Sequence, residues 1–243
     1  SDTNIEAAIK DCAVSAFISA GQRCSCTSRI FIDAKIYDKF VEGCYHIAKN
    51  IKIGHWSEDI FMGPLINESA VESHIRFQEI AKREGAKQLM RGKHLELDPI
   101  GNYVTPSIFE VSEYDPNSVF QKTEMFSPSV SLCKVDENND SEIFSAINDP
   151  GFGLSMSVFS DDRDRFDSAF KNVKAGVINW NRPTTGASSK LPFGGLGKSG
   201  NGRPSGIYAT TYCTDPIASL EMKKIVNKKI AFPGFPELEK DVE

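Results

Sequence analysis

The alternation of short apolar runs with amphipathic patterns along most of the chain constrains its fold more than any other feature. Apolar residues recur at helical spacing in five segments: residues 4–20, 37–48, 68–84, 141–148 and 161–173. Apolar runs that predict strands lie at residues 29–33, 87–91, 103–111, 129–135, 155–160 and 176–180. Strands that alternate with helices favour parallel pairing, so we predict an α/β fold with a mostly parallel sheet flanked by helices.

The composition excludes several classes of protein. The 243 residues carry 28 Lys and Arg against 33 Asp and Glu, a formal net charge of −5. This balance gives no basic surface for nucleic acid or an acidic membrane. The sequence has no apolar run of transmembrane length and no signal sequence. We therefore expect a soluble cytoplasmic protein with reduced thiols, whose partner is a small molecule and neither a nucleic acid nor a membrane.

Neither the cysteines nor the histidines have the spacing of a metal site. The six cysteines include one C-x-C and no C-x-x-C pair, and the four histidines have no partner three or four residues away. We therefore predict no metal. Residues 195–200 match the dinucleotide pattern G-x-G-x-x-G, but they follow no convincing strand, and Pro204 and Gly206 interrupt the helix that should come next. We reject that match.

The last quarter of the chain changes in character. Residues 181–206 are dense in Gly, Pro, Ser and Thr, which predicts a long loop, and loops of this length in compact domains commonly serve a function. Residues 208–213 form a final strand candidate. The Lys- and Glu-rich residues from 223 onward predict a polar tail.

The segment Gly21-Gln-Arg-Cys24 is the strongest candidate for chemistry. A predicted helix ends at Gly21, and Cys24 follows in a turn that can expose backbone N–H groups beside the sulfur. A thiolate placed there can attack a carbonyl carbon, while its own N–H stabilises the oxyanion. The alternative is that Cys24 is a small buried apolar residue. Its rate of alkylation relative to the other cysteines distinguishes a nucleophile from a structural thiol.

Four motifs occur in order along the chain: Gly21-Gln-Arg-Cys24, Met62-Gly-Pro-Leu65, Glu124-Met-Phe-Ser-Pro128 and Pro192-Phe-Gly-Gly195, the last followed by Lys198-Ser-Gly200. In order and spacing they resemble the aldehyde dehydrogenase superfamily, over about residues 5–221. One position departs from that pattern, because Ser127 stands where the superfamily usually has glycine. Members of the superfamily are about twice as long as this chain, which looks like their second half.

The resemblance implies a role for each matching residue. Cys24 would be the nucleophile, and the thioester formed on it would be hydrolysed. Glu124 would hold the hydroxyls of the nicotinamide ribose, with Phe126 beside the ring. Four residues would contact the substrate: Phe193 lining the aldehyde tunnel, and Ser25, Gly186 and Ala187 anchoring a substrate carboxylate.

The substrate class also follows from resemblance. The segments Asn179-Trp-Asn181, Thr185-Gly-Ala187, Arg203-Pro-Ser205 and Tyr212-Cys-Thr-Asp-Pro216 look like those of enzymes that oxidise N-succinylglutamate 5-semialdehyde in arginine catabolism. The alternatives are the group that oxidises glutamate semialdehyde (pyrroline-carboxylate dehydrogenases) and a non-catalytic relative of the fold. An acidic substrate needs cationic donors, which four residues of the predicted loop could supply: Arg182, Lys190, Lys198 and Arg203.

The resemblance implies three segments: a catalytic domain at 1–208, an oligomerisation strand at 209–221 and a C-terminal tail at 222–243. The nucleotide-binding half, the oxyanion asparagine and the general-base glutamate of the superfamily would precede Ser1. We therefore expect this polypeptide alone to be inactive. The complete protein would be a homo-oligomer that uses NAD, with NADP as the alternative, bound mainly by the absent half.

Overall fold

A computed structural model gives the fold and describes residues 3–136, 138–200, 205–225 and 233–236. Within these ranges the helices are α1 Ile5–Phe17, α2 Tyr37–Asn50, α3 Glu68–Arg83, α4 Val119–Lys122, α5 Asp140–Asn148, α6 Arg163–Asn172 and α7 Ala209–Tyr212. Short 3-10 helices lie at Ile18–Gly21 and Gly206–Tyr208. No helix in the described ranges is long and apolar enough to cross a membrane.

The strands are β1 Arg29–Asp33, β2 Lys87–Met90, β3 His94–Leu95, β4 Tyr103–Val104, β5 Ser107–Val111, β6 Ser129–Val135, β7 Phe152–Gly153, β8 Ser155–Val158, β9 Val177–Trp180 and β10 Leu196–Gly197. The central sheet has the order β1-β6-β5-β2, in which β1, β6 and β5 are parallel and β2 is antiparallel to β5. Strands β8 and β9 form a separate parallel pair. The predicted α/β class with a mostly parallel sheet and flanking helices is confirmed.

Side-chain caps mark where α1, α3 and α6 begin. The Asn4 side chain accepts a hydrogen bond from the backbone N–H of Ala7 at 3.1 Å and starts α1. Asn67 caps α3 in the same way through Ala70. Such caps satisfy N–H groups that have no partner inside the helix. The acidic start predicted for the helix near residue 161 is also present, since Asp162 caps α6.

The main core lies between the central sheet and helices α1 and α2. Phe17, Phe40, Ile108 and Leu132 are among its fully or almost fully buried members. Burial of such side chains contributes about 1.5–3 kcal/mol each to stability. The alternating burial of β1, with Ile30 and Ile32 inside, places one face of this strand on the core.

The topology brings two separated segments to one edge of the sheet. Arg29 of β1 pairs with Ser131 of β6 in parallel register, and the N–H of Ser131 donates to the carbonyl of Ser28 at 2.9 Å. Parallel neighbours begin at the same edge. The turn that precedes β1 therefore lies beside the loop that precedes β6.

Two strand predictions need correction. The run at residues 103–111 forms two strands, β4 and β5, because Pro106 has no N–H to continue a ladder. The strand predicted at residues 208–213 is wrong, since α7 occupies most of it. The Thr214 hydroxyl donates to the Thr210 carbonyl at 2.6 Å, a helical contact just past the end of α7.

The same correction applies to the start of the predicted oligomerisation strand at 209–221, whose first four residues are helical. The remaining residues, 213–221, are exposed and form no regular element. The chain divides into two compact units, residues 1–209 and 210–243. The elements that carry the candidate site all belong to the first unit.

Candidate active site

A tight backbone reversal after α1 presents Cys24. Ser19, Ala20 and Gly21 have φ values of 53°, 54° and 69°, three successive residues in the left-handed region. This conformation is costly for Ser19 and Ala20, which are not glycine. The Arg23 side chain donates to the Ser19 hydroxyl at 2.8 Å and braces the reversal. The next turn, closed by a 3.0 Å bond from the Cys26 N–H to the Arg23 carbonyl, leaves Cys24 exposed.

Position 21 requires glycine because its backbone lies very close to the backbone of Ser127. A Cβ on Gly21 would lie 2.2 Å from the carbonyl oxygen of Ser127, far inside van der Waals contact. The backbone that leads to Cys24 therefore packs directly on the loop of residues 124–128. The structure thus brings together the Cys24 motif and the Glu124 motif, which are separated by about a hundred residues in sequence.

Cys24, Glu124 and Phe126 line one cavity of about 420 Å³. Glu124 is exposed, and Phe126 is 45 % exposed with a left-handed φ of 52°. The cavity therefore combines a thiol, a carboxylate and an accessible aromatic ring. Among the described residues no acceptor takes the backbone N–H of Cys24, so this donor is available to a ligand.

The cysteines differ in accessibility. Burial raises the pKa of the Cys12 and Cys44 thiols to about 12 and that of Cys133 to about 11. Burial also raises the pKa of Cys26, whose thiol lies 3.6 Å from the Ile18 carbonyl. Cys24 and Cys213 are the exposed cysteines. Cys24 alone combines exposure with a place on the cavity.

Ser127, the departure from the superfamily pattern, makes a contact that sequence analysis missed. Its hydroxyl lies 3.1 Å from Nδ1 of His74, and Nε2 of His74 lies 3.2 Å from the carbonyl of Thr105. His74 is 1 % exposed, and burial lowers its pKa to about 4. The neutral imidazole has one N–H, which donates to Thr105, so Nδ1 accepts from Ser127. The serine therefore ties the 124–128 loop to α3.

Two threonines missed by sequence analysis join the nucleophile turn to the loop after β9. The Thr184 hydroxyl donates to the carbonyl of Ser25 at 2.7 Å and lies 2.9 Å from the Thr27 hydroxyl. Thr27 and Thr184 are 157 positions apart in the sequence, so no local pattern could predict this contact. The only indication in the sequence is the density of hydroxyl residues in the predicted loop.

The four expected substrate residues do not line the cavity. Ser25 is half-buried, and its carbonyl accepts from Thr184. Gly186 and Ala187 are exposed in the loop that continues from Thr184, and Gly186 has a φ of 98° with nothing within 4 Å of an added Cβ. Phe193 is half-buried in a bridge with Ser205. Their substrate role stays a prediction.

The basic residues of the loop have different surroundings. Lys198 donates to the carbonyl of Pro150 at 2.9 Å, and its ammonium lies 5.3 Å from the centre of the Phe152 ring. This lysine is therefore held by the fold. Arg182 and Lys190 are exposed, whereas Arg203 lies outside the described residues.

Comparison with known proteins identifies the family. The sequence profile of the aldehyde dehydrogenase family matches residues 1–217. The chain belongs to the aldehyde dehydrogenase family. One curated relative, the N-succinylglutamate 5-semialdehyde dehydrogenase of Paraburkholderia xenovorans, is 36 % identical over 235 residues, which cover 96 % of this chain and 47 % of the relative. This aldehyde dehydrogenase chain thus spans about half the length of the curated relatives it matches.

Solved aldehyde dehydrogenase structures share the fold. A 1-pyrroline-5-carboxylate dehydrogenase from Thermus with bound NAD has a TM-score of 0.74 and 27 % identity, covering 81 % of this chain and 37 % of that one. The glyceraldehyde-3-phosphate dehydrogenase GapN from Methanocaldococcus jannaschii, complexed with NADP, has a TM-score of 0.75 and 30 % identity, covering 83 % and 42 %. Structural neighbours in this family therefore include complexes with either nicotinamide cofactor.

Proposed function

We propose that the chain is the catalytic part of an NAD(P)-dependent aldehyde dehydrogenase that oxidises an acidic semialdehyde, with Cys24 as the nucleophile. The observation that carries the proposal is the single cavity lined by Cys24, Glu124 and Phe126, built by the contact of Gly21 with the backbone of Ser127. Membership of the aldehyde dehydrogenase family supports the reaction class.

In the proposed reaction the Cys24 thiolate adds to the aldehyde carbon. The exposed sulfur leaves room for a substrate, and the unused N–H of Cys24 donates to the oxyanion of the tetrahedral adduct. Loss of hydride from the adduct leaves a thioester on Cys24. Water then hydrolyses the thioester and releases the carboxylate product, with a general base supplied from outside this chain.

The residues on the cavity fit the nicotinamide end of a dinucleotide. The Glu124 carboxylate is exposed and has acceptor capacity for two ribose hydroxyls. The accessible face of Phe126 provides an apolar surface for a planar ring. When bound, the cofactor would supply the hydride acceptor, and Glu124 and Phe126 would hold its nicotinamide end at the cavity that Cys24 also lines.

We propose N-succinylglutamate 5-semialdehyde as the substrate. Support comes from the relatives of that name in Paraburkholderia xenovorans and Serratia proteamaculans, each 36 % identical. Gly186 and Ala187 would anchor a substrate carboxylate through backbone N–H groups, with Ser25 beside the sulfur and Phe193 along the tunnel. The complete protein would act in the cytoplasm as a homo-oligomer. The six unpaired cysteines are consistent with that compartment.

The test is a dehydrogenase assay of the complete protein with NAD and NADP. The aldehydes are N-succinylglutamate 5-semialdehyde, glutamate semialdehyde and hexanal. We expect the highest kcat/KM for the succinylated substrate and loss of oxidation in Cys24→Ala with the fold retained by circular dichroism. Cys213→Ala, which removes the other exposed thiol, is the matched control and should remain active. Turnover retained by Cys24→Ala would contradict the proposal.

A second candidate is a glutamate-semialdehyde (pyrroline-carboxylate) dehydrogenase. It is favoured by the Thermus 1-pyrroline-5-carboxylate dehydrogenase, which covers 81 % of this chain. Both candidates use Cys24 in the same way and differ in the N-succinyl group of the substrate, which replaces the amine by an amide and adds a second carboxylate. A higher kcat/KM for glutamate semialdehyde in the same assay would favour this second function.

A further inference from the structure

The contact of two threonines at the cavity carries an inference about substrate selection that rests on the proposed function. The Thr184 hydroxyl donates its one proton to the carbonyl of Ser25, at 2.7 Å. The hydroxyl of Thr27, 2.9 Å away, is therefore the donor to Thr184. The resulting chain of hydrogen bonds runs from Thr27 through Thr184 to Ser25.

Both ends of this chain are fixed by the scaffold. The N–H of Thr27 donates to the carbonyl of Ser15 in α1 at 3.1 Å. On the other side, the Asn179 side chain of β9 donates to the carbonyl of Pro183 at 2.8 Å. The two hydroxyls therefore connect two rigid elements, α1 and β9, across the cavity lined by Thr27, Thr184 and Cys24.

Among the described residues, the hydrogen bonds of Thr184 are the ones that join the 182–190 loop to the nucleophile turn. Ser25 is next to Cys24, and Gly186 is two residues beyond Thr184. Within the part of the chain that the structure describes, neither Gly186 nor Ala187 at the tip of this loop makes a hydrogen bond, and nothing lies within 4 Å of a Cβ built on Gly186. The position of Gly186 and Ala187 relative to the Cys24 sulfur therefore depends on Thr184.

We infer that Thr184 is a positioning residue that determines specificity, because it fixes the separation between the nucleophile turn and the loop whose Gly186 and Ala187 N–H groups, under the proposed function, anchor a remote carboxylate. The residue selects aldehydes that carry a carboxylate at that separation. Without its hydroxyl the loop loses its fixed distance from the thiol, and an acidic aldehyde loses its advantage over a neutral one.

The first test compares kcat/KM for N-succinylglutamate 5-semialdehyde and for hexanal in the complete protein. Thr184→Val keeps the shape of the side chain but removes the hydroxyl. We expect it to lower kcat/KM for the acidic substrate about tenfold, the equivalent of one or two hydrogen bonds, mainly through KM. Hexanal oxidation should change little. Thr184→Ser should restore selectivity, and Ser189→Ala, which removes an exposed hydroxyl in the same loop, should leave it unchanged.

A second readout does not require oxidation. Cys24 is labelled with 6-maleimidohexanoic acid or with its neutral amide, and the rates are followed by peptide mass spectrometry. We expect the wild-type protein to prefer the acid, Thr184→Val to lose that preference and Thr184→Ser to keep it. This ratio separates selection of a carboxylate from a general change in the reactivity of the thiol.

The outcomes distinguish this inference from the proposed reaction. A carboxylate preference that survives in Thr184→Val, or an equal loss with acidic and neutral reagents, would overturn the inference. A wild-type protein that oxidises no aldehyde but shows the Thr184-dependent labelling preference would overturn the proposed reaction and support the inference. The absence of any carboxylate preference in the wild-type protein, in oxidation and in labelling, would overturn the inference and the proposed acidic substrate class, whereas oxidation through Cys24 is decided by the Cys24→Ala assay.

Discussion

Buried His74 does not line the cavity, but it contacts Ser127, which does. The Ser127 carbonyl contacts the backbone at Gly21, while its hydroxyl bonds to His74. A glycine at position 127 would leave Nδ1 of His74 buried without a donor, at a cost of about 1–3 kcal/mol. The serine that departs from the superfamily pattern is thus matched by a histidine on α3.

This pair predicts a pH dependence of stability. The pKa of His74 is lowered from 6.5 to about 4 because burial disfavours the imidazolium. Between these values the unfolded chain binds a proton that the folded chain does not, so the free energy of unfolding falls as the pH decreases from about 6.5 to 4. The full contribution is about 3 kcal/mol.

Urea unfolding of the chain between pH 7 and pH 4 measures this effect. His74→Gln, whose amide can still reach the Thr105 carbonyl, should be less stable at pH 7 and should lose less stability on acidification than the wild type. His46→Gln, at an exposed histidine, is the control and should follow the wild-type curve. Parallel curves for the wild type and His74→Gln would show that His74 does not titrate in this range.

At the scale of elements, Arg29 connects β1 to the end of α5. Its guanidinium donates to the carbonyls of Ala146 and Ile147 at 2.8 and 3.0 Å, and burial lowers its pKa. These carbonyls belong to the last turn of α5, where they lack partners inside the helix. One forked donor therefore fixes the position of the helix relative to the first strand.

We expect Arg29→Met to lower the free energy of unfolding by about 2–3 kcal/mol, since it leaves two carbonyls without their donor. Arg29→Lys, with a single point charge, should fall between the methionine variant and the wild type. Chemical denaturation at pH 7 measures both. Arg91→Met, at an exposed arginine, should change stability by less than about 0.5 kcal/mol. A neutral effect of Arg29→Met would contradict this account of the contact.

Elements whose cause lies in their own few residues can be predicted from the sequence, whereas elements that depend on distant contacts cannot. The sequence predicts the strands at residues 29–33 and 129–135 with their observed bounds, because short segments rich in apolar and β-branched residues favour strands. The left-handed Ser19 and Ala20 gave no such indication, because L side chains rarely adopt that conformation. The strand predicted at residues 208–213 was wrong because short runs of β-branched and aromatic residues can also form a helical turn.

For the candidate site, three of the residues indicated by the motifs, Cys24, Glu124 and Phe126, line one cavity, whereas the four expected substrate residues do not. The residues that hold these motifs in place were not predictable. The Thr27–Thr184 contact joins segments beside strands of two separate sheets, and the His74–Ser127 contact joins helix α3 to the loop before β6. A single sequence shows which residues could make such contacts, but it does not show which of them pair.

At the scale of the whole molecule, the cavity is built within residues 1–209, and the chain spans about half the length of the relatives it matches. Glu124 and Phe126 are exposed at this cavity, so both are accessible to the dinucleotide that, under the proposed function, another part of the complete protein would mainly hold. Because the nucleophile would belong to this chain and most of the cofactor site to another part, we predict that residues 1–243 alone retain a reactive Cys24 thiol but oxidise no aldehyde.

The central claim is that Cys24 is the nucleophile, and the most direct measurement relates activity to its modification. The complete protein is treated with iodoacetamide in a Cys213→Ser background, and residual dehydrogenase activity is plotted against the alkylated fraction of each cysteine by peptide mass spectrometry. The account predicts that activity falls in proportion to Cys24 alkylation while the buried Cys12, Cys44 and Cys133 stay unmodified. Full activity with Cys24 completely alkylated would contradict it.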